Sequence, residues 1–332
     1  MASEIGRRTF IAGLGGAVAW PLSARARSGD QMRRLGALMS FAANDPEAKL
    51  RESVLEKELR ELGWVNERNL RIEYRWADSQ ETLHAYAGEL IRMAPDLILA
   101  NSTPAATALH KQPHTVPIVF TQVTDPIGAG LITSFAHPGG HITGFTTFEF
   151  SIGTKWLETL KQVAPRVTRV ALVFNPQTAP FARLFWPPVE AAAASFGIEP
   201  VSAGVQTFKE LENKLDEFAR EPNGGVIVLP DVSTVNYRMA LIGLAARLRL
   251  PAVYPLRIFP ASGGLVSYGT DVSDIFRRAA VYIDRILNGA NAGELPVQAP
   301  SKYELVINLN TAKALGIELP DRFLAIANEV IE

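Results

Sequence analysis

The amino-acid sequence predicts an α/β fold made of two lobes, each built around an open parallel sheet. Short apolar runs alternate with amphipathic stretches, which is the pattern of parallel β/α winding. Several of these runs are unbroken stretches of Val, Ile and Leu, as expected of strands buried on both faces. The pattern occurs twice, from about residue 33 to 145 and from about 167 to 255. A chain of 332 residues suits two lobes, because domains usually have roughly 100–200 residues.

Eight apolar runs are the candidate strands of these sheets. In the first set they are residues 35–40, 69–76, 96–100 and 117–121. In the second set they are residues 169–174, 225–229, 252–254 and 265–268. The segments between successive runs have the periodicity of amphipathic helices, so each set predicts alternating strands and helices.

Helix boundaries are marked by residues that cap or stop a helix. Asp45 and Pro46 predict one helix start, since Asp is a favoured N-cap and Pro fits the first helical position. Gly63 predicts its end. The predicted apolar face between them consists of Leu50, Val54, Leu55, Leu59 and Leu62. The charged residues within 51–60 are interpreted as a solvated helix face. Either Asp271 or Ser273 begins a later helix, which Asn288 and Gly289 end.

Three connections are predicted to cross between the lobes, at residues 144–150, 264–270 and 303–308. Two open sheets joined by several crossings form a hinged cleft. The expected first lobe contains residues 31–147 and 267–300, and the expected second lobe contains residues 148–266 and 301–332.

The N-terminal segment, residues 1–26, has the features of a secretory signal peptide. Two arginines, Arg7 and Arg8, precede an apolar run at 10–22 and an Ala-Arg-Ala cleavage site at 24–26. The apolar run is shorter than the roughly 20 residues that cross a bilayer, so no permanent membrane anchor is expected. The twin arginines also resemble a twin-arginine export signal, with the Sec route as the alternative. Either route predicts a periplasmic location.

Composition and motifs exclude several classes of chemistry. The formal net charge of −1 argues against a nucleic-acid partner and against a basic membrane-binding surface. Cysteine is absent, which excludes disulfides, thiolate catalysis and Cys-ligated metals. The sequence has no H-E-x-x-H, G-x-S-x-G or phosphate-loop motif. His110 and His114 have helical spacing, but Pro113 argues against a continuous helix, so no metal site, catalytic residue or cofactor is expected.

Several motifs occur in order along the chain. The sequence TDPIGAGL at 124–131 is followed by HPGGHITG at 137–144, and further motifs lie at 250–255, 263–269, 277–280 and 303–309. Together they resemble the ABC-transporter substrate-binding proteins, a family that includes receptors for aromatic amino acids. His141 departs from the family, which usually has Asn there, and both residues tolerate a left-handed backbone. The resemblance implies a type I periplasmic-binding fold with a three-strand hinge.

Candidate ligand-binding residues follow the predicted strand ends. In open parallel sheets, ligands bind beyond the carboxyl ends of the strands. The polar candidates are Ser40, Asn44, Asn101, Ser102, Thr103, Thr121, Asp125, Asn175 and Asp231. The aromatic candidates that could hold a flat ligand are Phe41 and Tyr254, and further rings near the strand ends are Phe181, Phe185, Trp186 and Tyr268. For Phe185 and Tyr268, core packing is the favoured interpretation.

Two of the polar candidates have a purely structural alternative. Ser102 begins a Ser-Thr-Pro helix start, where its hydroxyl is either a ligand contact or a plain N-cap. Free backbone N–H groups at such a start could receive a ligand carboxylate. Asp231 is either an ammonium partner or an Asx turn or N-cap. An amino-acid ligand would use both residues, and a simple aromatic or branched carboxylate would not need Asp231.

The resemblance implies an extracytoplasmic solute-binding receptor. Such a protein captures a small organic ligand, here an amino acid or aromatic carboxylate, in the cleft between the lobes. It then delivers the ligand to the permease and the ATPase subunit of an ABC importer. We expect a monomer without enzymatic activity. The alternatives are a ligand-binding sensory module for a membrane receptor and an exported hydrolase.

Overall fold

The computed structural model describes residues 32–332, and the predicted signal peptide lies outside the described residues. The strands are β1 (Arg33–Met39), β2 (Leu70–Trp76), β3 (Leu97–Asn101), β4 (Ile118–Val123), β5 (Ile142–Thr146), β6 (Arg169–Phe174), β7 (Glu199–Gly204), β8 (Gly224–Val228), β9 (Ala252–Tyr254), β10 (Val266–Thr270), β11 (Tyr303–Asn308) and β12 (Glu329–Ile331). The helices are α1 (Pro46–Glu61), α2 (Gln80–Arg92), α3 (Thr103–His110), α4 (Ile152–Val163), α5 (Trp186–Phe196), α6 (Phe208–Phe218), α7 (Val232–Asn236), α8 (Arg238–Arg247), α9 (Ile258–Ala261), α10 (Val272–Leu287), α11 (Leu309–Leu315) and α12 (Asp321–Leu324). Short 3-10 helices lie at Pro180–Phe185 and Ala292–Glu294.

Within residues 32–332, the strands form one sheet of five and one of seven, so the predicted two-lobed α/β class is confirmed. The first sheet has the order β2-β1-β3-β4-β5 and is parallel throughout. Successive residues of β1 point to its opposite faces: Leu35 and Ala37 pack with α1 and α10, whereas Leu38 packs with α2 and α3. Both faces are covered, which explains the unbroken apolar strands.

The second sheet has the order β12-β11-β10-β9-β8-β6-β7. Its strands are parallel except for the antiparallel pair β10 and β11. The chain leaves this lobe at the end of β10 and returns from the first lobe at the start of β11. β10 carries the chain toward the first lobe and β11 carries it back, so these two strands run in opposite directions and pair antiparallel.

The chain crosses between the lobes three times in the described residues, at 147–151, at Asp271 and at 299–302. The segment before the last crossing pairs with the edge of the first sheet, where Thr146 N donates to Gln298 O at 2.9 Å and Gln298 N donates to Gly144 O at 3.0 Å. The expected lobe boundary at residue 267 falls inside β10, and this strand lies in the second sheet. Helix α10, which follows it, packs in the first lobe against α1.

Side-chain caps fix the helix starts that position the cleft. Asp45 accepts a hydrogen bond from Glu47 N at 2.9 Å and begins α1, and Asp271 accepts one from Asp274 N at 3.0 Å and begins α10. The later helix therefore starts at Asp271 rather than at Ser273. Gly63, which follows the end of α1, has φ +90°. No helix within residues 32–332 combines the length and the apolarity that a bilayer crossing requires.

Three histidines pack together at the edge of the first lobe away from the cleft. The ring of His141 lies 4.6 Å from that of His114 and 6.4 Å from that of His110, between centroids. Helix α3 ends at His110, so Pro113 separates His114 from it as expected. Burial lowers the pKa of His114 and of His141, and the neighbouring imidazoles lower the pKa of His141 further.

The histidine cluster predicts acid sensitivity. A pKa below the usual value of about 6.5 in the folded state means that the unfolded chain binds protons more readily. The neutral imidazoles therefore contribute their full stability above about pH 6.5, and that contribution is lost as the pH falls below this value. We expect His141→Asn to show a smaller drop in melting temperature between pH 7.5 and pH 5 than the wild type.

The matched control is His84→Asn, because His84 is exposed on α2. Its melting temperature should follow the wild-type pH dependence. An equal acid-induced drop in the wild type and in His141→Asn would contradict the assignment.

Candidate functional site

A cavity lies between the two lobes at the carboxyl ends of the central strands. Its volume is about 540 Å³, the open mouth included, which is in the range of small-molecule sites. The first lobe contributes the ends of β1, β3 and β4. The second lobe contributes residues near 178–181 and 230–235, and the first crossing contributes Thr147 and Phe148. The predicted residues that line the cavity are Ser40, Phe41, Asn101, Ser102, Thr103 and Asp231.

Five predicted residues lie outside the cavity lining. Asn44 is exposed in the turn before α1, and the Asp125 carboxylate accepts a hydrogen bond from Gly128 N at 2.8 Å. Thr121 is buried behind Asn101, whose Nδ2 donates to its hydroxyl at 3.3 Å. The two other residues are Asn175, whose side-chain amide donates to Gln206 O at 3.1 Å, and Tyr254, whose ring stacks on Phe259 at 4.7 Å.

The two serines at the cavity wall have no proton left for a ligand. Ser40 Oγ donates to the carbonyl of Asn101 at 2.9 Å, which uses its single proton. The 2.7 Å contact between Ser40 Oγ and Ser102 Oγ then requires Ser102 to be the donor. Ser102 Oγ also accepts from Ala105 N at 3.3 Å, so it caps α3. Both hydroxyls can still accept hydrogen bonds from a ligand, but neither can donate to a carboxylate.

Backbone strain coincides with the same wall. Ser102 has φ +102° and Gln122 has φ +56°, a conformation that costs roughly 1–3 kcal/mol for a residue with a Cβ. Gln122 lies where the register between β4 and β5 shifts. Its Oε1 accepts from Asn101 Nδ2 at 2.9 Å and from Arg51 Nε at 3.3 Å. The positive φ of Gln122 therefore directs its side-chain amide toward the cavity wall. There the amide oxygen accepts hydrogen bonds from both Arg51 and Asn101.

Arg51 is the main residue that the sequence interpretation missed. It was assigned to a solvated helix face, but its side chain is only 2% exposed and it lines the cavity. Its Nη1 donates to Glu47 Oε2 at 2.6 Å and to Glu47 O at 3.0 Å, and its guanidinium carbon lies 4.4 Å from the ring centroid of Phe41. Burial lowers the pKa of Arg51, and the adjacent Glu47 carboxylate opposes that effect.

Of the predicted apolar face of α1, Leu55 and Leu59 are buried and Val54 and Leu62 pack against the core, so only Leu50 was wrongly included. The buried residues of this helix are Ala48, Arg51, Leu55 and Leu59, whereas Leu50 is exposed. Their spacing of three and four residues is helical, so the signal was present in the sequence. An arginine on that stripe, with Glu47 four residues before it, was the specific indication of a buried ion pair.

Asp231 is the N-cap that its structural alternative predicts, and it also lines the cavity. It is the N-cap of α7, where Oδ1 accepts from Ser233 N at 2.9 Å and from Thr178 Oγ1 at 2.5 Å. Its Oδ2 accepts from Asn175 N at 2.7 Å. These three hydrogen bonds from described residues leave Oδ2 with acceptor capacity, since a carboxylate has about four lone-pair sites. Burial raises the pKa of Asp231 and the donors oppose that rise.

The remaining cavity wall is apolar. Phe41, Phe148 and Phe181 line it together with Val235 and Leu256. Of the other rings considered from the sequence, Phe185 packs behind Phe181 at 6.4 Å and against Trp156 at 5.3 Å. Tyr268 stacks on Tyr303 at 6.0 Å and does not line the cavity. Trp156 is buried, and its indole N–H donates to Tyr268 O at 2.7 Å, as expected of a packing residue.

A partly buried ion pair joins the lobes beside the cavity. Arg238 Nη1 on α8 lies 2.8 Å from Asp45 Oδ2, and the two side chains are 12% and 11% exposed. The other carboxylate oxygen of Asp45 is the cap of α1. A second contact joins Asn236 Nδ2 to Asp78 O at 3.4 Å. The lobes are therefore in contact across the cleft mouth.

The described part of the chain contains no assembled metal-binding site. No group of three or more His, Asp or Glu residues within 32–332 could hold a metal ion. The histidine cluster away from the cleft does not meet that geometry.

Comparison with known proteins identifies relatives of the whole described chain. Residues 39–331 match the family described as ABC transporter substrate binding protein. A tyrosine-binding protein of Clostridioides difficile (strain R20291) is 26% identical over 264 residues, which are 79% of this chain and 75% of that protein. An ABC domain from Streptococcus pneumonia, solved in complex with L-Trp, has a TM-score of 0.82 at 22% identity, over 91% of this chain and 100% of that one.

A third similar structure was solved without a ligand. It is a ligand-free, open substrate-binding protein with adhesive properties from Clostridium difficile, with a TM-score of 0.67 at 22% identity, over 90% of this chain and 99% of that one. Together with the family match over residues 39–331, these similarities show that the chain belongs to the ABC transporter substrate-binding protein family.

Proposed function

We propose that this protein captures an aromatic amino acid between its lobes and delivers it to an ABC importer. The observation that carries the proposal is the cavity itself, which combines three phenyl rings with a buried carboxylate and a buried guanidinium. An aromatic amino acid presents the complementary groups, namely a flat apolar ring, an ammonium and a carboxylate. The tyrosine-binding protein and the L-Trp complex among its relatives support the same class.

The acceptor groups of the cavity favour an ammonium. Asp231 Oδ2 has acceptor capacity left, and Ser40 Oγ and Ser102 Oγ can accept but not donate. In this proposal the ligand ammonium binds at Asp231, and the helix start at Ser102 is a wall rather than the carboxylate site. The phenyl rings hold the aromatic side chain, at roughly 0.5–1.5 kcal/mol for each favourable ring pair beyond the area buried.

Binding and closure are coupled because the cavity walls come from both lobes. A ligand that touches both walls binds the closed state more tightly and shifts the population toward it. The permease and the ATPase subunit then receive the closed protein, which acts as a monomer without enzymatic activity. The leader directs the chain to the periplasm by the twin-arginine or the Sec route.

The ligand class predicts selective thermal stabilisation. The purified protein is heated with L-tryptophan, L-tyrosine or L-phenylalanine, and with L-alanine as the control that lacks a ring. At a ligand concentration of 100 times Kd the free energy of unfolding rises by about 2.7 kcal/mol, which is roughly a 5 °C shift for a chain of this size. L-Alanine should cause no shift. A shift with branched or small amino acids, but with none of the aromatic ones, would contradict the ligand class.

The ammonium site predicts a specific loss in Asp231→Asn. Removing the charge from a desolvated ion pair should weaken the binding of L-tryptophan by about tenfold or more in calorimetric titration. Because Asp231 also caps α7, the variant should melt at a lower temperature as well. Indolepropionate, which lacks the ammonium, separates the two effects, since its affinity should be the same for the wild type and for the variant.

Ser102→Ala provides the comparison at the opposite wall. It removes one weak acceptor and should cost less affinity for L-tryptophan than Asp231→Asn. If Asp231→Asn loses stability while its affinity for L-tryptophan is unchanged, Asp231 is only a cap and the ammonium assignment is wrong.

A further inference from the structure

Arg51 is a buried cation with part of its donor capacity unused. A guanidinium has five N–H donors in a planar fork. Nε donates to Gln122 and Nη1 donates twice to Glu47, whereas Nη2 has no hydrogen-bond partner among residues 32–332. The side chain is 2% exposed and borders the cavity. Nη2 is therefore free to donate to an acceptor in the cavity, and a carboxylate matches the planar donor fork of a guanidinium.

A second unpaired donor lies close by. Thr147 is 3% exposed, lines the cavity, and its hydroxyl has no partner in the described part of the chain. Its backbone N–H donates to Val123 O at 3.3 Å, next to the Gln122 side chain that holds Arg51 Nε. The two unused donors therefore belong to adjoining parts of the same wall.

The charges around Arg51 are balanced without a ligand. Glu47 pairs with Arg51 and Asp45 pairs with Arg238, so two carboxylates face two guanidinium groups. Burial lowers the pKa of Arg51; the Glu47 and Asp45 carboxylates oppose that effect, and Arg238 adds to it. A ligand carboxylate alone would add a negative charge to this group, whereas a zwitterion adds none. The balance favours a ligand whose carboxylate is accompanied by its own ammonium.

We propose that Arg51 Nη2 and the hydroxyl of Thr147 form the carboxylate subsite of the cavity. The proposal rests on the proposed function, because it assigns one end of the amino-acid ligand. It replaces the expectation that the carboxylate binds at Ser102 and the N–H groups of its helix start. The hydroxyl proton of Ser102 is already used, Pro104 has no N–H, and the N–H groups of Ala105 and Ala106 already donate to Ser102. Arg51 is then a specificity-determining residue for ligands that carry a carboxylate.

The test uses two probes that differ only in that group, L-tryptophan and tryptamine. Arg51→Lys keeps the positive charge opposite Glu47 but lacks the second nitrogen of the fork. Calorimetric titration should show a loss of affinity for L-tryptophan of about tenfold or more, and an unchanged affinity for tryptamine. Arg60→Lys is the matched control, because Arg60 is an exposed arginine on the same helix, and it should behave as the wild type.

Thr147→Val is the second variant, and it is nearly isosteric. The hydroxyl that it removes has no partner, so the melting temperature without ligand should not fall. The affinity for L-tryptophan should nevertheless fall by roughly threefold to tenfold, and the affinity for tryptamine should not change. This variant keeps the test valid even if Arg51→Lys does not fold.

The outcomes separate this proposal from the proposed function. If no aromatic amino acid binds the wild type, the proposed function fails first and the subsite fails with it. If the wild type binds L-tryptophan, and Thr147→Val and any folded Arg51→Lys protein keep the wild-type ratio of affinities for L-tryptophan and tryptamine, the subsite is refuted while the function stands. A ratio that falls in either variant but not in Arg60→Lys supports the subsite.

Discussion

The ion pair between Asp45 and Arg238 is the contact on which the cavity depends. One oxygen of Asp45 begins α1, and the other holds α8 of the second lobe. Helix α1 carries Arg51, and α8 directly follows α7, which Asp231 caps. Fully exposed pairs contribute roughly 0–1 kcal/mol. This pair is mostly buried, so removing one partner would leave the other charge uncompensated in the closed protein. The same contact thus positions both charged groups that face the ligand.

The cavity separates its hydrogen-bond donors from its acceptors. Arg51 and Thr147 have unused donors, whereas Asp231 and the pair of serines offer acceptors without free protons. Such a distribution discriminates among ligands, because a molecule without a carboxylate leaves the donors unpaired and one without an ammonium leaves the acceptors unpaired. The phenyl rings contribute affinity for an aromatic side chain with little directional constraint.

The fold could be predicted from the sequence because hydrophobic periodicity and strand-end chemistry are local signals. Ser40, Ser102 and Asp231 were identified as strand-end residues, and all three line the cavity. Arg51 was missed because the apolar face of α1 was assigned through Leu50, which is exposed. The positive φ of Gln122 and the unpaired hydroxyl of Thr147 arise from tertiary packing of β4, β5 and the first crossing, and no local pattern encodes them.

Small-angle X-ray scattering of Arg238→Gln tests most directly whether cross-cleft contacts and ligand together hold the lobes closed. The radius of gyration is measured at increasing concentrations of L-tryptophan for the wild type, for Arg238→Gln and for Arg247→Gln, whose arginine is 52% exposed and pairs only within the second lobe. We expect Arg238→Gln to be more expanded without ligand and to need more L-tryptophan to reach the compact state. Arg247→Gln should follow the wild type. Identical scattering curves for Arg238→Gln and the wild type at every concentration would contradict a role of the Asp45–Arg238 ion pair in closure.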